Sequence, residues 1–319
     1  MTRTTSATST AAAARVADGV LELIGGTPLL RLHRYADPAG AGISAKLEFL
    51  NPGGSVKDRA AIGMIEAAEA SGRLQAGATI IEPTAGNTGV GLALVGIARG
   101  YRVIVVVPEK FVGAKTAVMN VLGAEIVLTP TEGGIQQAIA KAQELARAIP
   151  NSYVPQQFDN LDNPAYHYRT TAVEAHEQLG RIPDAVVLGA GTGGTFTGVA
   201  RYFKERQPAV HAVLVEPQGS IWGGGAPGPH KVEGIGNSFW PGALDRDLID
   251  EVLMVSDDDA FAAVKELARR EGLLVGGSAG AAAHAARIVA RRLAPDACVL
   301  TLFPDGFERY LGKGVFENL

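Results

Sequence analysis

The sequence predicts an α/β fold of two domains built on parallel sheets, and three observations carry that expectation. Short β-rich runs alternate with longer helical stretches along most of the chain. The 319 residues are too many for one ordinary core. The 40 glycines are unevenly spread, and many fall where a strand ends and a helix begins, the place where such sheets bind ligands.

In chain order the pattern gives a helix over 60–70, a strand over 78–81, a helix over 90–99 and strands over 103–107 and 125–128. A helix over 135–148, a strand over 185–188, a helix over 196–206 and strands over 212–215 and 252–255 follow. Helices over 257–270 and 281–292 and a strand over 299–303 close the series. Residues 1–15 are Ser, Thr and Ala with two Arg and no acid, and they read as a disordered tail. No internal repeat or low-complexity linker interrupts the rest.

Composition excludes several functions. Hydrophobic residues at 47% and charged residues at 19% describe a globular chain. A net charge of -4 gives no basic face for nucleic acid. The apolar runs fall short of the roughly 18–20 residues that span a bilayer, so no membrane contact is expected. Cys298 is the one cysteine, which rules out an intrachain disulfide and fits a reducing, cytoplasmic setting. It lies in an apolar run and reads as a buried strand residue, with no activating neighbour. No metal centre is expected.

Four turns carry candidate chemistry. In Asn51-Pro-Gly-Gly-Ser-Val-Lys57-Asp-Arg59, a lysine stands where a helix would begin. A helix N-terminus and Arg59 both disfavour a second positive charge, which would free the Lys57 amine for imine chemistry. A solvated lysine at a helix start has the same local sequence. The second turn is Glu82-Pro-Thr84-Ala85-Gly86-Asn87-Thr88-Gly89. Its backbone N–H groups and the Thr84 and Thr88 hydroxyls suit a carboxylate, and Asn87 offers an amide to a phenolic oxygen; a capped loop–helix junction is the plainer reading.

The third turn, Gly189-Ala-Gly191-Thr192-Gly193-Gly194-Thr195, suits a phosphate. It also contains G-x-G-x-x-G, with Glu216 about 20 residues on, so it scores equally as a dinucleotide fingerprint. The fourth is Gly276-Gly277-Ser278-Ala279-Gly280 after Leu273-Leu-Val275. A strand leading into that turn would bring the Ser278 hydroxyl to a planar ligand, whereas a lone serine here is commonly a helix N-cap.

Taken together, the order of motifs resembles the fold-type II pyridoxal-phosphate (PLP) enzymes, in the cysteine synthase and cystathionine β-synthase branch. The resemblance runs from about Leu23 to Asn318. It rests on Ile24-Gly-Gly-Thr-Pro-Leu29, the Lys57 segment, Gly86-Asn-Thr-Gly89, Gln156-Gln157-Phe158, Asn163-Pro164, the phosphate turn, Pro227-Gly-Pro-His-Lys231, Gly234-Ile-Gly236, Ser278 and Glu308-Arg-Tyr-Leu311.

The resemblance implies a tryptophan synthase β-like fold of two doubly wound domains with the cofactor between them. Residues 51–160 would form the smaller domain, and 16–50 with 161–319 the larger. Lys57 would hold PLP as a Schiff base. Asn87 would bond the ring hydroxyl, Gly191, Thr192, Gly193, Gly194 and Thr195 the phosphate, and Ser278 the pyridine nitrogen. Thr84, Ala85, Gly86, Asn87, Thr88 and Gln157 would bind the substrate carboxylate, with Tyr168 and Gly234 at the pocket border.

The reaction so implied is β-replacement on an activated L-serine, O-acetyl-L-serine first among them, by way of an α-aminoacrylate. A thiol or sulfide nucleophile would give L-cysteine or L-cystathionine. A serine at the pyridine nitrogen leaves that nitrogen largely neutral, which favours prompt β-elimination over transamination. A homodimer, and docking of a serine acetyltransferase C-terminus, are further implications. Ala85 stands where many cysteine synthases have serine, and Gly276-Gly277-Ser278-Ala279-Gly280 is closer to cystathionine β-synthase. Pro227-Gly-Pro-His-Lys231 is closer to cysteine synthase. The rivals are a non-sulfur nucleophile in a specialised amino-acid pathway, a serine or threonine dehydratase, and, from another class, a nucleotide-linked oxidoreductase.

Overall fold

The computed structural model describes residues 16–311. The 1–15 tail and the last eight residues assigned to the larger domain lie outside the described residues. Two sheets form. The larger has the order β1-β2-β10-β7-β8-β9: β1 (Leu29–Arg31), β2 (Gly42–Leu47), β10 (Cys298–Phe303), β7 (Ala185–Gly189), β8 (His211–Pro217) and β9 (Glu251–Val255). All pairs are parallel except β1 with β2. The smaller has the order β5-β4-β3-β6: β5 (Glu125–Thr129), β4 (Arg102–Pro108), β3 (Thr79–Pro83) and β6 (Ser152–Tyr153), all parallel.

Nine α-helices are present among the described residues: α1 (Lys57–Ala70), α2 (Asn87–Ala98), α3 (Ala114–Val121), α4 (Gly134–Ala148), α5 (Asp162–Arg169), α6 (Thr171–Leu179), α7 (Gly194–Arg206), α8 (Asp257–Glu271) and α9 (Gly277–Ala290). Among the described residues no helix is long and apolar enough to cross a membrane.

Helices cover both faces of each sheet, so central strands are apolar on both sides. In β4, Val103, Val105 and Val107 pack with residues of α1 and α2, while Ile104 and Val106 pack with Ala138 and Ala142 of α4. In β7, Ala185 and Val187 join the core under α8 and α9, while Val186 and Leu188 meet Phe196, Val199 and Phe203 of α7.

Each sheet reverses its winding at one place. In the larger sheet β8 and β9 extend to one side of β7 and β10 returns on the other; in the smaller, β4 and β5 extend from β3 and β6 returns on its far side. Crevices at the carboxyl ends of strands open at such reversals. They lie beyond β7 and β10 in one sheet and beyond β3 and β6 in the other.

The α/β class expected from the sequence holds. The strands β1, β2 and β6 and the helices α3, α5 and α6 were not anticipated. β2 carries Ser44 and Lys46, which are buried, and Lys46 is tolerated there because it donates to Glu174 at 2.8 Å and to the Thr27 carbonyl at 2.5 Å. A strand with a buried lysine has no apolar signature. The expected strand before Ser278 does not form: Val275 makes a single isolated bridge to Gly306.

Candidate active site

Lys57 opens α1 directly after the Asn51–Val56 turn. The segment is pinned to the end of β10: the Val56 N–H donates to the Pro304 carbonyl at 2.8 Å, and Ser55 bridges Asp305. A Cβ on Gly91 of α2 would lie 2.8 Å from the Lys57 carbonyl oxygen, so only glycine lets α2 approach that closely. Burial pushes the Lys57 amine below the usual lysine range; Asp305 opposes this, and Lys115 adds to it. Arg59 does not act as expected. Its guanidinium points away, donating to Glu48 at 2.7 and 3.0 Å and to Glu174 at 2.7 Å, so its charge is neutralised before it reaches Lys57.

Lys57, residues 189–193 and Thr195 of the glycine turn, Gly234 and Ser278 line one cavity at the β7–β10 reversal. The turn enters α7 through Gly193, whose φ of +85° is a left-handed conformation that glycine adopts readily. The cap residue Gly193 offers no side chain to α7; the Thr192 hydroxyl accepts the Gly194 N–H in a long bond of 3.4 Å, and the helix start is otherwise without a side-chain cap for an anion to displace. Gly194 faces away from the cavity, where a Cβ would stand 2.1 Å from the Asn163 amide oxygen. Asn163 donates to the Thr192 hydroxyl at 3.1 Å. Thr195 meets the imidazole of His167 at 3.2 Å, and the other His167 nitrogen meets Thr171 at 2.8 Å. Burial, then Arg59 and Lys57, hold His167 well below its ordinary range, so it is a neutral support for the turn.

Two rival readings fail here. Glu216 does not face the turn; its carboxylate accepts the N–H groups of Trp222 at 3.0 Å and Gly223 at 2.5 Å, which removes the acid a dinucleotide ribose would need. Ser278 is not an N-cap. It lies inside the first turn of α9, whose cap position is Gly276 and which has no side-chain capping bond.

The second crevice, at the β3–β6 reversal, continues into an open cleft lined by Thr84, Ala85, Gly86, Gln157 and Gly234. Gly234 borders both spaces. The Thr84 hydroxyl accepts the Gly86 N–H at 3.2 Å and keeps its own proton to donate. The Thr88 hydroxyl is taken: it donates to Gln157 Oε1 at 2.5 Å. The Asn87 amide is held on both sides, donating to Asp305 at 2.7 Å and accepting from Arg309 at 2.8 Å. One Asn87 N–H is left for a ligand.

Tyr168 is the departure from the expected set. Its hydroxyl donates to Glu205 at 2.5 Å and its ring packs edge-on against Tyr202, so it faces the outer end of α7 and lines neither space. A side chain on that face of α5 cannot also reach the pocket. The sequence reading also missed groups that matter to the geometry. Asp305, His167 and Glu82 are buried polar residues in apolar or structural contexts, and sequence pattern gives no sign of which polar residues turn inward. Lys115, whose ammonium reaches Glu233 at 3.1 Å across the cleft, is one surface-type residue among many.

The residues fit PLP. One cavity offers an amine of lowered pKa, a glycine turn leading into a helix start that suits a phosphate, and a neutral hydroxyl. The chain matches the family model described as pyridoxal-phosphate dependent enzyme over residues 20–305. It is 49% identical to a cysteine synthase of Helicobacter pylori, over 92% of this chain and 97% of the relative. It is 47% identical to an O-acetylserine dependent cystathionine beta-synthase of Bacillus subtilis, over 94% and 97% of the two. A crystal structure of O-acetylserine dependent cystathionine beta-synthase from Helicobacter pylori superposes with a TM-score of 0.90 at 48% identity, covering 95% of this chain and all of that one. The structure of an O-ureido-L-serine synthase superposes with a TM-score of 0.91 at 36% identity, covering 96% of each.

Proposed function

The chain belongs to the pyridoxal-phosphate dependent enzymes, and from that premise we propose how its residues divide the work of β-replacement. The reaction replaces the β-substituent of an activated L-serine, O-acetyl-L-serine above all, with a sulfur nucleophile, giving L-cysteine or L-cystathionine. The observation that carries the assignment of roles is the joining of two spaces at Gly234, one with Lys57, Ser278 and the 189–195 turn, the other with Thr84, Ala85, Gly86 and Gln157.

Bound PLP supplies the electron sink that lets the Cα–H and Cβ–leaving-group bonds break. Lys57 would hold the cofactor through its amine, and as a free amine it is placed to take the α-proton and later return it. Its lowered pKa keeps a share of the amine unprotonated for both tasks. Gly191, Thr192, Gly193 and Thr195 bind the phosphate at the start of α7, with Gly194 behind them against Asn163. Asn87 donates its remaining N–H to the ring oxygen, and Ser278 meets the ring nitrogen without charging it. The Thr84 hydroxyl, the N–H groups of 85–88 and the Gln157 amide hold the substrate carboxylate.

Finer points belong to the same proposal. A homodimer in the cytoplasm is supported by the family resemblance and by the single cysteine. A serine acetyltransferase C-terminus suits the cleft because Lys110, Lys115, Lys231 and Arg309 line it and favour a carboxylate.

The test is a panel of serine, O-acetylserine and O-phosphoserine against sulfide, homocysteine and amines, with the PLP-loaded protein and product mass as the readout. O-Acetylserine with sulfide or homocysteine should give the dominant product. Pyruvate from serine alone, or products from amines only, would overturn the assignment.

A further inference from the structure

Glu82 lies on β3, paired in register with Val105 of β4, and is 2% exposed. Among the described residues no lysine, arginine or histidine pairs with it. Leaving a lone carboxylate inside a parallel sheet is costly, and an apolar residue there would serve stability better. Its oxygens are aimed at one target. They accept the backbone N–H of Gln156 at 3.0 Å and of Gln157 at 3.2 Å, in the turn after β6.

That turn is strained and connected. Gln156 has φ +56°, a left-handed conformation that residues other than glycine rarely adopt. The Gln157 side chain accepts from Thr88 through Oε1, and its amide also donates to the Glu82 carboxylate, which leaves one N–H for the cleft. The Gln157 carbonyl accepts from Asn163 at 3.2 Å, and Asn163 also supports Thr192 of the phosphate turn. Without an acceptor on β3, two adjacent N–H groups would be orphaned, and the left-handed Gln156 would be held only through its carbonyl, which accepts from the N–H groups of Asp159 and Asn160.

We propose that Glu82 is a positioning residue for the substrate-carboxylate site: its ionised side chain clamps the 156–157 turn and so sets the Gln157 amide against the cleft. This rests on the reading of Gln157 as a carboxylate ligand. A protonated carboxyl keeps one good acceptor oxygen and turns the other into a donor facing an N–H, so protonation loosens the clamp. Burial pushes Glu82 up to about 7, and the Gln157 and Gln156 donors pull it back. Tyr153 on β6 is the titratable group that faces it, and its phenol titrates far above this range. Substrate binding should therefore weaken as pH falls from about 8 to about 6, while turnover at saturation changes less.

The experiment compares the PLP-loaded enzyme with Glu82→Gln, which mimics the protonated form, and with Gln157→Ala. We expect Glu82→Gln to raise KM for O-acetylserine about tenfold with kcat within about threefold, and to flatten the acid limb of the KM profile. The visible cofactor absorbance should be retained. Hydrogen exchange at the Gln156 and Gln157 amides should accelerate in Glu82→Gln, and in the unmodified protein as pH falls through about 7, after correction for intrinsic rates. An unchanged KM in Glu82→Gln with a raised KM in Gln157→Ala overturns the clamp alone; an unchanged KM in both overturns the reading of Gln157. Should Glu82→Gln fail to fold, protection of those two amides in the unmodified protein that does not vary with pH overturns the clamp.

Discussion

The Asn87 amide, at the first residue of α2, donates to the Asp305 carboxylate, just past β10, at 2.7 Å. This bond joins the turn after β3 of the smaller sheet to the segment after β10 of the larger. Tyr310 donates to the same Asp305 oxygen at 2.5 Å, and Arg309 fixes the other side of Asn87. Burial raises the Asp305 pKa, with Tyr310, Lys115 and Asn87 opposing. Asp305→Ala removes the acceptor that holds the Asn87 amide. Affinity for PLP, followed by absorbance titration, should fall by about tenfold, the worth of one hydrogen bond to a charged group. Undiminished affinity would show that Asn87 is oriented without Asp305.

Lys57→Met should abolish both the visible absorbance of the loaded protein and its turnover, since no second amine lines the cavity to replace it. The same change should stabilise the unloaded protein at neutral pH. A lysine whose folded pKa is depressed costs stability while the unfolded chain keeps its proton. The gain should shrink as pH rises toward about 10.4, where the unfolded lysine also loses its proton. Melting temperatures across that range check the sign.

Ser278→Asp should place a carboxylate in the cavity and raise the ring nitrogen's pKa, which slows β-replacement. A long-wavelength absorbance on substrate addition would accompany it. Ser278→Ala should be milder, with a loss of roughly 0.5–1.5 kcal/mol in transition-state stabilisation. The two variants' rates, measured beside their melting temperatures, separate ligand chemistry from folding. Full activity in Ser278→Asp would mean the ring nitrogen is met elsewhere.

Arg59→Met should cost about 3–5 kcal/mol, because it leaves Glu48 fully buried without its ion-pair partner and the partly buried Glu174 with Lys46 alone. Urea unfolding at neutral pH measures it. Burial raises the Glu174 pKa, but the Arg59 and Lys46 contacts outweigh it and hold the group at about 2. Glu174 therefore adds stability above its unfolded pKa and loses it as pH falls from about 4.3 toward about 2. The difference between the unmodified protein and the variant should narrow over that window.

Much of this arrangement was legible in the residues. Regular apolar runs flanked by glycine turns gave seven strands and six helices at nearly their observed positions, because burial on both faces writes itself into local sequence. The glycine turn before α7 was legible for a related reason: Gly193 answers a backbone demand, a left-handed φ against Leu244, that other residues rarely meet. What escaped depends on direction. Nothing local says that Tyr168 turns toward Glu205, that Glu216 turns toward Trp222, or that Arg59 turns from Lys57 to Glu48. Lys46 in β2 and Asp305 after β10 are legible only once their distant partners are in place.

The position of β10 has a consequence for biosynthesis. It enters the larger sheet between β2 and β7, aligning Gly42 with Cys298 and Ala185 with Val299. On a growing chain, β2 has no neighbour on that side until β3 to β9 have been made. The smaller sheet, whose strands all come from 79–153, can close before then. The cavity wall formed by Leu302 and Pro304 follows with β10. A nascent chain therefore exposes an unfilled slot beside β2 until β10 emerges, and insertion of this strand is the long-range step expected to limit folding.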